Sequence, residues 1–253
     1  MSGATYPDLK SRTVLVTGGG SGIGAAIVQA FAAQGARVGF IDIDQTGAAS
    51  VLENARSLNQ SVHFEAADLR DTLALRRAVG QIRAHFGPIT VLVNNAANDQ
   101  RHDTEEVTPE FFDNCIAVNL KHQFFAAQAV LPDMKAAGGG SIINFGSISW
   151  MLGMGGMALY TACKSAVLGL TRSMARDYGP FNIRVNSIAP GWIMTERQLT
   201  HWVTPEAERM IDERQCLKRR LMPAEIARIA LFLASDESSA MTSQSYIADG
   251  GWA

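Results

Sequence analysis

The chain has 253 residues with a formal net charge of −2, and 18% of its residues are charged against 47% hydrophobic. This composition is that of a folded globular protein and excludes an intrinsically disordered chain. The length suits one α/β domain. A charge so close to neutral gives no electrostatic reason to expect nucleic acid or an anionic membrane as a partner.

The cysteines and the apolar runs bear on the cellular compartment. The chain has three scattered cysteines and no CxxC pair, so we predict neither a disulfide framework nor a metal site. Residues 1–12 lack the apolar stretch of a secretory signal. No apolar run approaches the roughly 18 residues that a membrane-spanning helix needs. We therefore expect a cytoplasmic protein.

Short apolar runs alternate with segments of helical period along the chain, which is typical of βαβ units. The predicted strands are residues 13–17, 38–42, 62–65, 90–94, 141–145, 183–189 and 245–248. The predicted helices are residues 22–34, 46–58, 71–86, 111–136, 157–177 and 223–234. We expect one α/β domain over residues 1–253, a Rossmann-type doubly wound parallel sheet of about seven strands flanked by helices.

Residues 191–218 interrupt this alternation. The segment carries four large side chains, Trp192, Met194, Trp202 and Met210. We interpret it as a mobile lid over a substrate site. The alternative is a packed pair of surface helices.

A glycine-rich segment, TGGGSGIG at residues 17–24, joins the first predicted strand to the first predicted helix. Gly18, Gly22 and Gly24 would let the backbone turn sharply and approach a pyrophosphate, while the helix N-terminus offers free N–H groups. A glycine turn can also be only a tight structural corner. Its position between a strand and a helix is the one that a dinucleotide site requires.

Polar residues after the next strands point to the rest of a cofactor site. Asp42 ends the second predicted strand, where a carboxylate can bind both hydroxyls of an adenosine ribose and repel the 2′-phosphate of NADP, so we predict NAD. Asp68 is predicted to meet the adenine edge, with the N-cap of the helix at 71–86 as the alternative. The amides of Asn94 and Asn95 could brace the glycine turn, or simply form a turn of their own.

Two residues four positions apart, Tyr160 and Lys164, share one face of the predicted helix at 157–177. Tyrosine has an ordinary pKa of about 10. The Lys164 ammonium and a positive nicotinamide ring would favour the phenolate and lower this pKa, which would make Tyr160 a base. Lys164 could also hydrogen-bond the nicotinamide ribose. Ser147 could hold the substrate oxygen against Tyr160, and Asn119 could hold a water that relays protons from Lys164.

Together these motifs resemble the short-chain dehydrogenase/reductase family over essentially the whole chain, although Ala97 stands where the family usually has glycine. The resemblance implies an NAD-dependent enzyme with a catalytic set of Asn119, Ser147, Tyr160 and Lys164. It also implies a cofactor site formed by Gly18, Ser21, Gly22, Ile23, Gly24, Asp42, Ile43, Asp68, Leu69, Asn95, Ala96, Tyr160, Lys164, Pro190, Gly191, Ile193 and Thr195.

Within the family, the chain resembles the bacterial D-xylose 1-dehydrogenases at residues 6–10, 98–102, 143–150, 215–218 and 251–252. This resemblance implies NAD-dependent oxidation of an aldopyranose, D-xylose or a similar pentose, at C1 to the aldonolactone. A polyol requires several directed hydrogen bonds in an enclosed pocket. The candidates for that pocket are Asn98, Arg101, Ser147, Ser149, Trp150, Tyr160 and Trp192.

Two other functions stay open. One is an NAD(P)-dependent reductase of a ketone, such as an oxoacyl or steroid substrate, which Met194, Trp202 and Met210 in the lid would suit. The other is a non-enzymatic NAD-binding sensor, which the intact catalytic set disfavours. The family often pairs through the helices that carry Asn119 and Tyr160, so we also expect a homo-oligomer, a tetramer or a dimer.

Overall fold

The computed structural model describes residues 3–59 and 61–253. Within these residues, seven strands form one parallel sheet in the order β3-β2-β1-β4-β5-β6-β7. The predicted doubly wound sheet is therefore confirmed. The strands are β1 (Thr13–Thr17), β2 (Arg37–Asp42), β3 (Val62–Ala66), β4 (Val91–Asn94), β5 (Gly140–Phe145), β6 (Ile183–Pro190) and β7 (Ser245–Ala248).

Helices connect these strands. In the described ranges they are α1 (Gly22–Ala33), α2 (Gln45–Leu58), α3 (Thr72–Phe86), α4 (Pro109–Ile116), α5 (His122–Ala136), α6 (Ala158–Tyr178), α7 (Glu196–His201), α8 (Pro205–Arg214) and α9 (Pro223–Ala234). Several begin at a side chain that accepts from a free backbone N–H, as Asp44 does for α2 and Asp71 for α3. No helix in the described part of the chain is long and apolar enough to cross a membrane.

Two hydrophobic clusters cover the two faces of the sheet, because successive side chains of a strand point to opposite sides. Val14 and Val16 pack on one face with α1, α2 and α9. Leu15, between them, packs on the other face with α3, α5 and α6. This double burial explains why the strands are almost continuously apolar.

The predicted helix at residues 111–136 is interrupted. α4 ends at Ile116, a π-helical segment follows over Ala117–Lys121, and α5 begins at His122. Single π-helical turns inside helices often occur at functional sites. Here the segment contains Asn119, which is fully buried.

The parallel sheet places the segments after β1, β4, β5 and β6 at one edge. Strand order reverses between β1 and β4, and open α/β sheets bind ligands in the crevice at such a switch point. The glycine turn, Asn95, Ser147 and Gly191 follow these four strands, so the fold brings them to the same edge.

The segment 191–218 contains α7 and α8, so the alternative of a surface helix pair describes its secondary structure. Ile211 of α8 is buried, and Ile193 bridges to Leu221. The mobility expected of a lid stays a prediction.

Candidate active site

Two adjoining cavities open at the carboxyl edge of the sheet. The larger has a volume of about 950 Å³ and borders the glycine turn. The smaller has a volume of about 190 Å³ and borders Ser147 and Lys164. The two cavities share a wall of seven residues that line both, namely Ile23, Asn95, Ala97, Asp99, Tyr160, Thr195 and Gln198.

The glycine turn is closely packed on the segment that follows β4. Gly18 has φ +68°, and a Cβ atom there would lie 2.7 Å from the Cα of Ala96. At Gly24, a Cβ atom would overlap the carbonyl oxygen of Gly18. The Asn95 amide braces the same turn, donating to the carbonyl oxygens of Gly18 at 2.9 Å and Thr17 at 3.1 Å. Only residues without a side chain fit this cradle, which suits the backbone approach of a pyrophosphate.

Asp42 ties β2 to the glycine turn. One carboxylate oxygen accepts from the Gly20 N–H at 2.7 Å, and the other accepts from the Asp44 N–H at 3.0 Å. Asp42 and Ile43 both line the larger cavity. The carboxylate therefore lies where the sequence predicts contact with an adenosine ribose.

Asp68 also lines the larger cavity, but it is paired with Arg70 at 2.7 Å. The hydrogen bond from this guanidinium holds the pKa of the carboxyl below its ordinary value. The alternative role of Asp68 as the N-cap of α3 is wrong, because Asp71 accepts from the Leu73 N–H at 2.8 Å and is the cap. The predicted contact with adenine stays a prediction.

The predicted cofactor residues lie together. The larger cavity is lined by Gly18, Ser21, Gly22, Ile23, Gly24, Asp42, Ile43, Asp68, Leu69, Asn95, Ala96, Tyr160 and Thr195. The smaller cavity adds Lys164, Pro190, Gly191 and Ile193. The glycine cradle and this continuous wall fit a dinucleotide that reaches from the larger cavity to Tyr160.

Lys164 projects from α6 into the protein and is 1% exposed. Its ammonium donates to the carbonyl oxygen of Phe145 at 2.8 Å and lies 5.5 Å from the centre of the Tyr160 ring. Burial lowers the pKa of Lys164 to about 8. An amine with this pKa can exchange a proton near neutral pH.

Tyr160 shows a pKa shift opposite to the predicted one. Burial raises the pKa of its phenol above the ordinary value, and the carboxylate of Asp99 raises it further. A hydrogen bond with Ser147 and the charge of Arg101 act in the lowering direction. Loss of hydration inside the site disfavours the phenolate, and this is the largest of the effects on Tyr160. The predicted lowering included the charge of a nicotinamide ring, which the protein itself does not supply.

Asn119 fixes the loop that follows β4. Its side-chain oxygen accepts from the Asn98 N–H at 2.9 Å, and its amide donates to the carbonyl oxygens of Asn98 at 3.1 Å and Cys115 at 3.0 Å. Asn119 also lines the larger cavity. These bonds give it a structural part in the site, and the predicted water relay from Lys164 stays a prediction.

The structure divides the predicted substrate residues into three groups. Those lining the smaller cavity are Arg101, Ser147, Ser149, Tyr160 and Trp192. Asn98 lines the larger cavity, where its side-chain oxygen accepts from Arg197 at 3.1 Å. Trp150 lines neither of the two cavities. It belongs to the turn after β5, in which its carbonyl oxygen accepts from the Gly153 N–H at 3.4 Å.

Sequence reasoning missed several residues of the smaller cavity. Asp99 and Gln198 are on its wall, and Leu152, Met154 and Met157 give it an apolar side. Trp252 also lines it and stacks on Trp192, with ring centres 6.1 Å apart. The sequence pair Gly251-Trp252 offered a signal, since it carries part of the resemblance, but it did not indicate a pocket residue.

Three residues that line the smaller cavity carry a buried polar atom that no described residue pairs. The Ser149 hydroxyl and the indole N–H groups of Trp192 and Trp252 are buried and have no hydrogen-bond partner among the described residues. Each such group costs roughly 1–3 kcal/mol if it is left unpaired. A ligand rich in hydroxyl groups could pair them. In the described ranges, no cluster of His, Cys, Asp and Glu could hold a metal ion.

The sequence matches a family model described as enoyl-(acyl carrier protein) reductase over residues 18–253. It is 51% identical to a probable galactose dehydrogenase of Rhizobium meliloti, covering 97% of this chain and 96% of the relative. It is 47% identical to the D-xylose 1-dehydrogenase of Caulobacter vibrioides over the whole of both chains.

The fold is shared with a solved structure from Sinorhizobium meliloti that is described as a short-chain alcohol dehydrogenase. The TM-score is 0.93 at 32% identity, with 98% of each chain covered. The similarities thus extend over nearly the full length of every protein compared.

Proposed function

This chain belongs to the short-chain dehydrogenase/reductase family, and from that premise we propose that it oxidises an aldopyranose at C1 to the aldonolactone with NAD. The protein is an oxidoreductase, and the family binds a nicotinamide cofactor. The names of the two sugar dehydrogenases to which it is similar support an aldose as the substrate. D-Xylose is the leading candidate, and D-galactose is the first alternative.

One structural observation carries the proposal. Ser149, Trp192 and Trp252, whose buried polar atoms have no partner among the described residues, line the same small cavity as Tyr160 and Ser147. A sugar could meet this demand because each hydroxyl is both a donor and an acceptor. Aromatic rings such as the two indoles also offer flat apolar surface to the C–H face of a sugar.

The proposed chemistry assigns each residue a step. With the positive charge of a bound nicotinamide to stabilise its phenolate, Tyr160 would accept the proton of the C1 hydroxyl, and Ser147 would donate a hydrogen bond to the same oxygen as it becomes a carbonyl. Lys164, with its lowered pKa, is placed to exchange protons near Tyr160. When bound, the nicotinamide supplies the hydride acceptor. The glycine turn and Asp42 would hold the adenosine half of the cofactor.

We propose NAD because Asp42 presents a carboxylate to the larger cavity. A 2′-phosphate there would meet a like charge. The nearby cation, Arg70, already pairs with Asp68 at 2.7 Å, which weakens its attraction for a phosphate.

The test is a kinetic panel with NAD and NADP against pentoses, hexoses and 6-deoxyhexoses, followed by the nicotinamide absorbance. We expect one aldose to be oxidised with NAD in clear preference to the rest and to NADP. Chromatography of the product should show the lactone before the open aldonic acid. Oxidation with NADP alone would contradict the cofactor assignment, and silence across all sugars would contradict the substrate.

The alternative of a ketone reductase has one structural observation in its favour, the apolar side of the cavity formed by Leu152, Met154 and Met157. The lid residues first offered for it, Met194, Trp202 and Met210, line neither of the two described cavities. NADH- and NADPH-dependent reduction of an oxoacyl and steroid panel tests this alternative. A sensor would instead bind NADH and turn over no substrate in either panel.

We propose further that the protein is cytoplasmic and forms a homo-oligomer. Its cysteines, all in the described part of the chain, are free thiols, which suits a reducing compartment. Phe112 of α4 and Phe124 of α5 are 45% and 42% exposed, on the helices that flank Asn119. Light scattering of the purified protein should give a dimer or tetramer mass, and a monomer would overturn the assembly.

A further inference from the structure

Asp99 occupies an unusual position in the site. It follows β4 in the loop that Asn119 fixes, and it lies on the wall shared by the two cavities. Its side chain is only 16% exposed. Among the described residues of the smaller cavity, it is the only carboxylate.

Two side chains of α7 hold the Asp99 carboxylate in place. Oδ1 accepts from Nε of Arg197 at 2.9 Å, and Oδ2 accepts from Nε2 of Gln198 at 2.7 Å. An ionised carboxylate has about four acceptor positions. Each oxygen therefore keeps capacity for a further hydrogen bond, and the carboxylate is oriented before any ligand arrives.

The polar groups without a partner on residues of the smaller cavity differ in kind from the Asp99 carboxylate. The indoles of Trp192 and Trp252 can only donate, and the Ser149 hydroxyl can do both. A sugar hydroxyl must donate its own hydrogen as well as accept one. Asp99 supplies a strong acceptor, which the indoles cannot provide. Hydrogen bonds to an ionised acceptor are about twice as strong as neutral ones.

We propose that Asp99 is a specificity-determining residue whose carboxylate accepts a hydrogen bond from a non-reacting hydroxyl of the sugar. This inference rests on the proposed function and adds the group that distinguishes a polyol from its deoxy analogue. The competing interpretation is that Asp99 only ties α7 to the loop after β4.

The test combines substitutions in the enzyme with deletions of single hydroxyls in the substrate. The kcat/KM of the wild type is measured for its best aldose and for each monodeoxy analogue, and then for Asp99→Asn. At one position, we expect the wild type to prefer the parent sugar by about 10- to 100-fold. Asp99→Asn should reduce that one preference to within about 3-fold and leave the preferences at the other positions unchanged.

Three controls separate recognition from packing. Arg197→Ala removes the ion pair with α7 but leaves the carboxylate and its hydrogen bond from Gln198, so it should retain the preference for the parent sugar. Asp103→Asn removes an exposed carboxylate four residues away and should behave as the wild type. Asp99→Glu keeps the charge and should retain part of the preference. Where turnover is too slow, the same ratios are read from sugar binding by calorimetry with NADH present.

The pH profile measures the charge effect of Asp99 on Tyr160, separately from sugar recognition. Tyr160 is faced by Asp99 and Arg101 from the loop, by Ser147 after β5 and by Cys163 and Lys164 of α6. The Asp99 charge raises the pKa of Tyr160, so Asp99→Asn should lower it. Because the base must be deprotonated, the acid limb of kcat should move to lower pH.

Each outcome decides between the interpretations. Loss of a single hydroxyl preference in Asp99→Asn, together with its retention in Arg197→Ala, supports the proposal. Unchanged preferences in Asp99→Asn, or equal loss in Arg197→Ala, overturn it while leaving the sugar assignment standing. A wild type that oxidises no aldose overturns the proposed function and this inference together.

Discussion

The glycine turn and the substrate cavity are built in opposite ways. At the turn, backbone polar groups are hydrogen-bonded within the protein. The Asn95 amide donates to the Gly18 carbonyl oxygen, and the Asp42 carboxylate accepts from the Gly20 N–H. At the smaller cavity, Ser149, Trp192 and Trp252 keep buried polar atoms without a partner among the described residues. Hydrogen bonds within the protein fix the shape of the turn, whereas these buried groups of the cavity lining have none to the described residues.

This difference suggests that the glycine turn contributes rigidity and the smaller cavity contributes selectivity. A cradle of backbone atoms fixed by internal bonds suits a cofactor that every turnover shares. A cavity with unpaired donors rejects analogues that lack a matching hydroxyl, because they leave the donors unpaired. The following predictions test the contrast between the two regions.

Tyr160→Phe should give the largest effect, because Tyr160 stands on the wall between the regions and the substitution removes only the phenol oxygen. We expect turnover to fall by about 10²- to 10⁴-fold, the usual contribution of a positioned acid or base. The glycine turn is untouched, so NADH binding followed by fluorescence titration should stay close to that of the wild type. Near-normal turnover would refute the role of Tyr160 as the base.

Gly24→Ala should disrupt the glycine turn. The new methyl group would overlap the Gly18 carbonyl, which is backbone and cannot swing aside. We expect a loss of about 1–3 kcal/mol in the free energy of unfolding and much weaker NADH binding. Both quantities follow from urea titration and fluorescence.

The matched control is Gly80→Ala in α3, where a methyl group would meet no heavy atom of the described chain within 4 Å. Alanine is the better helix former, so this variant should gain about 0.5–1 kcal/mol. Equal behaviour of the two variants would show that the turn tolerates a side chain.

Ser149→Ala should give the smallest effect, with opposite changes in stability and in catalysis. Removing an unpaired buried hydroxyl should raise the free energy of unfolding of the ligand-free protein by up to about 1 kcal/mol, while kcat/KM for the sugar falls by about 10-fold. Thermal unfolding and steady-state kinetics measure the two changes. A destabilised variant with normal kinetics would show that the hydroxyl has a structural partner.

Local sequence signals predicted the fold well. The glycine turn and each apolar strand are each formed by one run of contiguous residues. The alternation of strands and helices is compatible with only a few sheet topologies. The predicted helix over 111–136 did not reveal its interruption at Ala117–Lys121, since a π-helical turn keeps a helical composition. The N-cap alternative for Asp68 failed because Asp71, three residues later, is the cap of α3.

The substrate cavity was harder to predict because distant segments build it. Trp192 is predicted as a lid aromatic that could stack on a sugar, but its stacking partner Trp252 is brought to it only by the tertiary fold. Trp150 is a candidate because its ring could stack on a sugar, but residue type does not decide whether a side chain lines a cavity. The pKa direction of Tyr160 also depends on burial, a quantity that the spacing of two residues does not contain.

The wall shared by the two cavities has a thermodynamic consequence. Ile23, Tyr160 and Thr195 line both cavities, so a ligand in one and a ligand in the other would border the same side chains. Any influence of one ligand on the other is reciprocal, because the free energy of a closed cycle of binding steps is zero. The factor by which cofactor strengthens sugar binding must equal the factor by which sugar strengthens cofactor binding.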